Sequence, residues 1–444
     1  MNFLNKPLAA ISLAALLGGL APEASAVDRR VPKDFPTITE AIAAAQTGDR
    51  VVVSKRKEGP YEEHVLVDKN GIEILGKNAE MNGGTDGTSF TVMADDVSIS
   101  GFTIRNASGP AIAASGNNIA ISKCKISGCS SQGIHAQGTN ILIERNTIEY
   151  VGGNGIEYAQ TDDTGSTVIE RNTVRHCADS GIVSSGGDVQ IVRNTIEYNQ
   201  NDGIQQDNGG YSDKGLIDTN KVRCNGDQGV CVFDLADGGL DINGNTIEQN
   251  GGSGTVIESG AGAKLDKNKY KRNAGDGICM LGTSSTMTNN KVETSALNGI
   301  KISNIGNGSH IVQKNTSRSN GRDGIWVSGG ANNILENTTD KNLGDGINIV
   351  GQIPGDSKDN SVISNKCNRN QHEGIDNSGT NTLIASNKLS KNGPGGNGPD
   401  IAGSGVRENP EDAIGIGTVN PSSDNNKTSD DTDEDLTVPQ ELDF

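Results

Sequence analysis

Two anchors recur along this chain at near-constant spacing, and few folds tolerate such a pattern. The first is an Asn, most often with an apolar residue two positions later, at Asn146, Asn172, Asn194, Asn220, Asn245, Asn268, Asn290, Asn315, Asn337, Asn365 and Asn387. The second is a Gly, usually followed at once by an apolar residue, at Gly133, Gly155, Gly181, Gly203, Gly229, Gly254, Gly277, Gly299, Gly324, Gly346 and Gly374. From an Asn to the next Gly is always nine residues, as from Asn146 to Gly155. From a Gly to the next Asn the distance runs from 13, as Gly133 to Asn146, to 19, as Gly346 to Asn365. One arc of the repeat is fixed and the other takes insertions.

A third position, three residues before each Asn, is also apolar: Ile143, Ile169, Ile191, Ile217, Ile242, Leu265, Met287, Val312, Ile334, Val362 and Ile384. Three apolar points per repeat predict three short strands per turn. A repeat of this length cannot bury its own apolar side chains and must stack on its neighbours. Successive strands then run parallel, with rungs about 4.8 Å apart, and the crossovers turn right-handed. The expected fold is all-β, a right-handed single-stranded parallel β-helix of about 13 rungs. Asn suits a sharp corner because it tolerates left-handed backbone, and its amide can bond to the rungs above and below. Gly leaves room where a side chain would obstruct the turn.

The repeat resembles that of the right-handed parallel β-helix proteins of the pectate lyase-like superfamily. Matching units run from Phe102 and Cys124, where Cys replaces the Asn, to Asn387. The resemblance implies the fold; the superfamily's functions include polysaccharide lyases, alginate epimerases, glycoside hydrolases, tailspikes, adhesins and a periplasmic copper-maturation protein. The stretch from Gly48 to Asn78 is similar to the opening rungs of pectin methylesterases, without their catalytic motifs. The DPHD motif of alginate epimerases, the paired Asp and GHG of polygalacturonases and the Arg-containing pectate lyase motif are absent.

Residues 1–26 have one early Lys, an apolar run and Ala24, Ser25 and Ala26 at the end, which predicts a cleaved signal peptide and an exported protein, secreted, periplasmic or at the cell surface. Residues 27–96 are expected to form an N-terminal cap and the first rungs. Within them Thr37 and Glu40 form a capping box for a short helix whose apolar face is Ile38, Ala41, Ile42 and Ala45, ended by Gly48. Such a helix covers the open end of a solenoid. Residues 97–391 hold the repeats, and 392–444 the C-terminal end with an acidic tail too charged to pack. No later stretch is long and apolar enough for a membrane span. The net charge of −18 argues against nucleic acid as a partner. Seven Cys, with no metal-ligand spacing, read as small buried hydrophobes.

If the residue after each anchor Gly faces the core, the second and fourth residues face outward. This places His135 and Glu157 on adjacent rungs of one face, with Gln205 and Asp207 further along. A second column, five residues before each Gly, reads Tyr150, His176, Tyr198 and Cys224. Insertions after the same strand carry Asp162, Asp163, Asp207, Tyr211, Asp213, Asp234 and Asp237. Tyr and His are residue types that uronate lyases and epimerases use to take the C5 proton and protonate the leaving oxygen. The sequence therefore points to an acidic polysaccharide, with His176 or His135 as base and Tyr150, Tyr158 or Tyr198 as acid. Glu157, Gln205, Asp207 and Tyr211 would bind substrate, and calcium would sit on Asp162, Asp163 and Asp213. Outward Trp326 and Lys301 stand apart from this patch. Two other readings stay open at this point: a glycan-binding or structural protein without catalysis, and a metal-maturation factor, which would need soft ligands.

Overall fold

The computed structural model describes residues 26–407, apart from 86, 162–164, 208–214, 236–238, 352–356, 397–400 and 404–405. The chain winds into a coil of three parallel sheets with 17, 14 and 15 strands. One turn contributes Leu142–Glu144 to the first sheet, Thr147–Glu149 to the second and Ile156–Ala159 to the third. Register is kept from rung to rung here, with Ile143 beside Ile169, Ile148 beside Val174 and Ile156 beside Ile182. All six are fully buried. Three inward columns thus close one continuous core.

The third sheet counts 15 turns rather than the 13 expected. The additional rungs include Val65–Val67 and Phe90–Val92, which lack the Asn and Gly anchors, and Ile401–Gly403 at the other end. The helix is there, over Ile38–Ala43, and Thr37 Oγ1 accepts the Glu40 N–H at 3.1 Å. Glu63, from a later loop, accepts the N–H groups of Ile38 and Thr39, both at 3.0 Å. A long-range carboxylate therefore complements the cap that Thr37 begins. Both the first 25 residues and the acidic segment after 407 lie outside the described residues.

The anchor Asn amides bond from rung to rung as expected, but the Asn residues themselves are not left-handed. Left-handed backbone falls on the residue before each Asn, such as Arg145, Arg171 and Arg193, with φ of 54°, 54° and 56°. That twist turns the Asn side chain inward. Asn194 Oδ1 accepts the N–H of Asn172 at 2.8 Å and its Nδ2 at 3.1 Å, while Asn194 Nδ2 donates to Ile169 O at 2.8 Å. Each buried amide thereby satisfies the backbone of the preceding rung, and the ladder runs from Cys124 to Asn387. The Gly anchors keep ordinary backbone angles and are required by close approach. A Cβ on Gly203 would lie 2.3 Å from Val222 Cγ1 and 2.7 Å from Gly229 O.

Candidate functional site

Two outward rows carry the residues singled out from the sequence. The first lies at the corner that follows the second sheet. Strands such as Thr173–Arg175 end there, and the next residue takes left-handed backbone: Tyr150 at φ 56°, His176 at 54° and Tyr198 at 58°. Left-handed backbone at the corner throws these side chains outward. Tyr150 and Tyr198 are 60% and 45% exposed, so neither ring is core. The His176 ring lies between them, 4.8 Å from Tyr150 and 5.3 Å from Tyr198, with interplanar angles of 3° and 10°. Stacking follows from rung spacing, because identical corners repeat at about the separation of neighbouring strands. The two tyrosine rings cover the faces of the imidazole, and His176 itself is exposed.

Ion pairs hold the flanks of this stack. Arg175 is 2.7 Å from Glu149, and Arg223 is 2.6 Å from Glu197 with its guanidinium 6.0 Å from the Tyr198 ring centroid. Cys224, at the same corner one rung on, raises the Tyr198 hydroxyl above its ordinary value.

The second row is on the outer face of the third sheet. His135 and Glu157 are paired in register, and His135 Nδ1 is 3.3 Å from Glu157 Oε1. Glu157 Oε2 accepts Gln132 Nε2 at 2.9 Å and Asn154 Nδ2 at 2.8 Å. Burial alone would raise this carboxyl; the two amides and the charge of His135 outweigh it and bring it below the usual range. Gln205 and Asp207 share the face but not the contact, since the Val183 strand lies between Glu157 and Gln205. Among the described residues no hydrogen bond or ion pair joins His135 or Glu157 to the aromatic corner.

Tyr158 belongs to neither row and is a correction. It is the third residue after Gly155, so strand alternation sends it inward, where it is 2% exposed and its hydroxyl donates to Gly138 O at 2.8 Å. Asp162, Asp163, Tyr211 and Asp213 lie outside the described residues, as does Asp237. Asp234 is described, and its carboxylate accepts the Ser259 hydroxyl at 3.1 Å. The described loop carboxylates do not gather into a calcium site. The one cluster of three cation-ligand types among the described residues is Asp345, His372 and Glu373, far along the coil. All seven Cys are free thiols.

The residue before each anchor Gly builds a further ladder, which accounts for the repeated Asp-Gly pairs. Asp202 Oδ1 accepts the Gln228 N–H at 2.8 Å, Asp276 accepts that of Asn298 at 2.8 Å, Asp323 that of Asp345 at 2.7 Å and Asp345 that of Glu373 at 2.9 Å. Burial, then the neighbouring Glu373 and the charge of Asp323, push the Asp345 carboxyl up to about 8. The anchor spacing signals both the ladder and this adjacency, since Asp323, Asp345 and Glu373 each precede an anchor Gly on consecutive rungs.

A coil of three parallel sheets with stacked-amide corners defines a parallel β-solenoid. The chain belongs to the right-handed β-helix family: the model for the right handed beta helix region matches residues 65–212, 184–270 and 253–409. No curated protein matches the sequence. Among solved structures, the catalytic domain of a GH87 α-1,3-glucanase in complex with tetrasaccharides is 12% identical, covers 78% of this chain and 70% of its own, and has a TM-score of 0.52. An A-module of an Azotobacter vinelandii mannuronan C-5 epimerase is 12% identical over 81% of this chain and 89% of its own, at a TM-score of 0.39. A surface adhesin of Streptococcus pneumoniae is 13% identical over 76% and 91%, at 0.44. At these identities the likeness is one of fold. No helix among the described residues is long and apolar enough to cross a membrane.

Proposed function

We propose that this protein is exported, binds an acidic polysaccharide along the axis of the coil and acts on it by lyase or epimerase chemistry at the aromatic corner. The observation that carries the reading is the Tyr150–His176–Tyr198 stack, an imidazole edge flanked by two phenols on consecutive rungs. Abstraction of the C5 proton of a uronate needs a base at that carbon and an acid near the leaving oxygen or the opposite ring face. His176 takes the first role and Tyr198, stacked beside it on the next rung, the second. His135 and Glu157 lie on the neighbouring face and bind flanking sugars, with Gln205 and Asp207 extending the track. The carboxylates expected to hold calcium, Asp162, Asp163 and Asp213, lie outside the described residues, and no step is routed through them.

A second reading is favoured by one feature of the same stack. Parallel rings on successive rungs are also what a passive sugar-stacking surface looks like, and this would make the protein a glycan-binding module without chemistry. One experiment decides between them. The protein is incubated with polygalacturonate, polymannuronate and polyguluronate, with and without calcium, while ultraviolet absorbance follows unsaturated ends and solvent deuterium follows exchange at C5. Product that disappears in His176→Ala supports the enzyme. Binding without either signal, unchanged in His176→Ala, overturns it in favour of the module.

A further inference from the structure

The third sheet changes character towards the C-terminal half of the coil. Most of its strands are three or four residues long, as at Ile278–Met280 and Ile347–Ile349. Two adjacent ones are longer: Ile300–Asn307 has eight residues and Ile325–Gly330 six. They pair in register at Lys301 with Trp326 and again beyond an irregularity, at Asn307 with Gly330. Here the outer face bears a cavity of about 330 Å³, lined by Asn298, Lys301, Ser303, Arg322, Asp323 and Trp326.

The lining is selective in its chemistry. Lys301 Nζ lies 5.7 Å from the centroid of the Trp326 indole, so a cation and an aromatic face share the floor. Arg322 stands on the wall, in the turn that leads into the Trp326 strand. Most arginines of the coil are held in carboxylate pairs, Arg175, Arg223 and Arg369 among them. Neither Lys301 nor Arg322 forms an ion pair among the described residues. Asp323, the acidic residue of the wall, is occupied by the fold: its Oδ1 accepts the Asp345 N–H at 2.7 Å and its Oδ2 accepts Asn348 Nδ2 at 3.2 Å. In a chain of net charge −18, two cations are thus kept available at one hollow beside the chain's single Trp.

We propose that this cavity is a binding subsite for one sugar unit of an acidic glycan, with the carboxylate on Lys301 and Arg322 and the pyranose ring packed on Trp326. The separation of ammonium and indole suits that ligand, since a carboxylate held at Lys301 brings the ring carbons of the same sugar over the aromatic face. An apolar ligand would leave two cations desolvated without a partner, and a neutral sugar would use the indole alone. The assignment stands on the cavity and its charges and does not rest on proton transfer at the aromatic corner.

Because Trp326 is the only tryptophan, its fluorescence reports this site alone. The full chain is titrated with trigalacturonate, and with maltotriose as the neutral comparison. A saturable change with trigalacturonate is expected, weakened about tenfold or more in Lys301→Ala and in Arg322→Ala, since each variant deletes a charge-assisted contact. Both side chains face outward, so these variants keep the circular dichroism of the coil. Calorimetry on Trp326→Ala supplies the second reading and is expected to show lost binding heat. Equal affinity for maltotriose, an unchanged titration in both cation variants, or no saturable change in intact protein would each overturn the proposal. The corner is read separately by polymer turnover, so failure there leaves this result standing.

Discussion

At the corner after the second sheet, adjacent residues in the chain have opposite duties. Tyr198 points out at left-handed backbone, and Asn199 points in, its Oδ1 accepting the Cys177 N–H at 3.1 Å. Going up the coil, the inward position becomes Asn225, Asn250 and Asn273, then Asn320, Asn342, Asn370 and Asn392, a second amide ladder. Going down, it is Cys177, Val151 and Cys129, which are buried and apolar. The outward position changes too, from Tyr and His in the lower coil to Gln249, Arg272, Thr294 and Ser319 above. Backbone geometry is the same throughout. What differs is that the inner residue answers to buried hydrogen bonds and the outer one answers only to solvent or a ligand.

The largest effect expected from that division concerns activity. His176→Ala should reduce turnover of a uronate polymer about 10²–10⁴-fold, the usual contribution of a positioned proton-transfer group. Its denaturant midpoint should stay within about 0.5 kcal/mol of the parent, as for other surface changes. A variant that instead unfolds, with turnover per folded molecule unchanged, would make the stack architecture and break the comparison at its outer side.

The inner side is tested by Asn220→Leu. This removes the acceptor of the Asn194 N–H at 2.8 Å and the donor that reaches Ile191 O at 2.7 Å, leaving buried polar groups without partners. Each such orphan costs about 1–3 kcal/mol, so a loss of roughly 3–5 kcal/mol is expected, read as accelerated hydrogen exchange centred on that rung. Retained glycan binding in the cold, folded variant would sharpen the split between the two positions.

An inner residue of the upper coil should show the same dependence through pH. His310 is fully buried, its Nδ1 accepts the Ser285 N–H at 3.2 Å, and its own N–H donates to Asn332 Oδ1 at 3.0 Å. Burial lowers its pKa to about 4. Between the ordinary histidine value and that one, the unfolded chain takes up a proton that the folded site refuses, so stability falls as pH drops through the window. At about 1.4 kcal/mol per unit the whole window from about 6.5 to about 4 amounts to ~3 kcal/mol. His310→Asn matches the Asn332 and Asn360 that continue the row and should flatten this part of the pH–stability curve. An unchanged slope would mean that another group titrates there.

How far these positions were legible in the sequence follows the same division. The Asn and Gly anchors and the inward Ile column are read from spacing alone, because burial and close approach admit few residue types. The second amide ladder is equally legible in the sequence, five residues after most Asn of the first from Asn194 onward, as in Asn194 and Asn199. Tyr158 lies inward because its parity after Gly155 matches the core residues, although the tyrosines nearest it in sequence are outward. The hollow at Trp326 depends on strand length and on how the Arg322 turn folds back, and neither has a repeating signal.

The smallest effect expected is at the His135–Glu157 pair, which tests whether the flat face behaves like the outer corner or like a ladder. Glu157 lies below its ordinary pKa, so its folded form contributes stability above that value and loses it as pH falls through the depressed one. Its side chain is 28% exposed, so solvent screens the pair and the contribution stays below about 1 kcal/mol. Glu157→Gln should therefore shift the denaturant midpoint slightly at neutral pH, with the difference from the parent closing as the solution is acidified below about pH 4. A loss as large as that of Asn220→Leu would place Glu157, through Gln132 and Asn154, among the residues that hold rungs together. A small shift accompanied by weaker binding of oligouronates would instead assign the pair to ligand, since on an open sheet Glu157 then fixes the position of the His135 ring without holding rungs together.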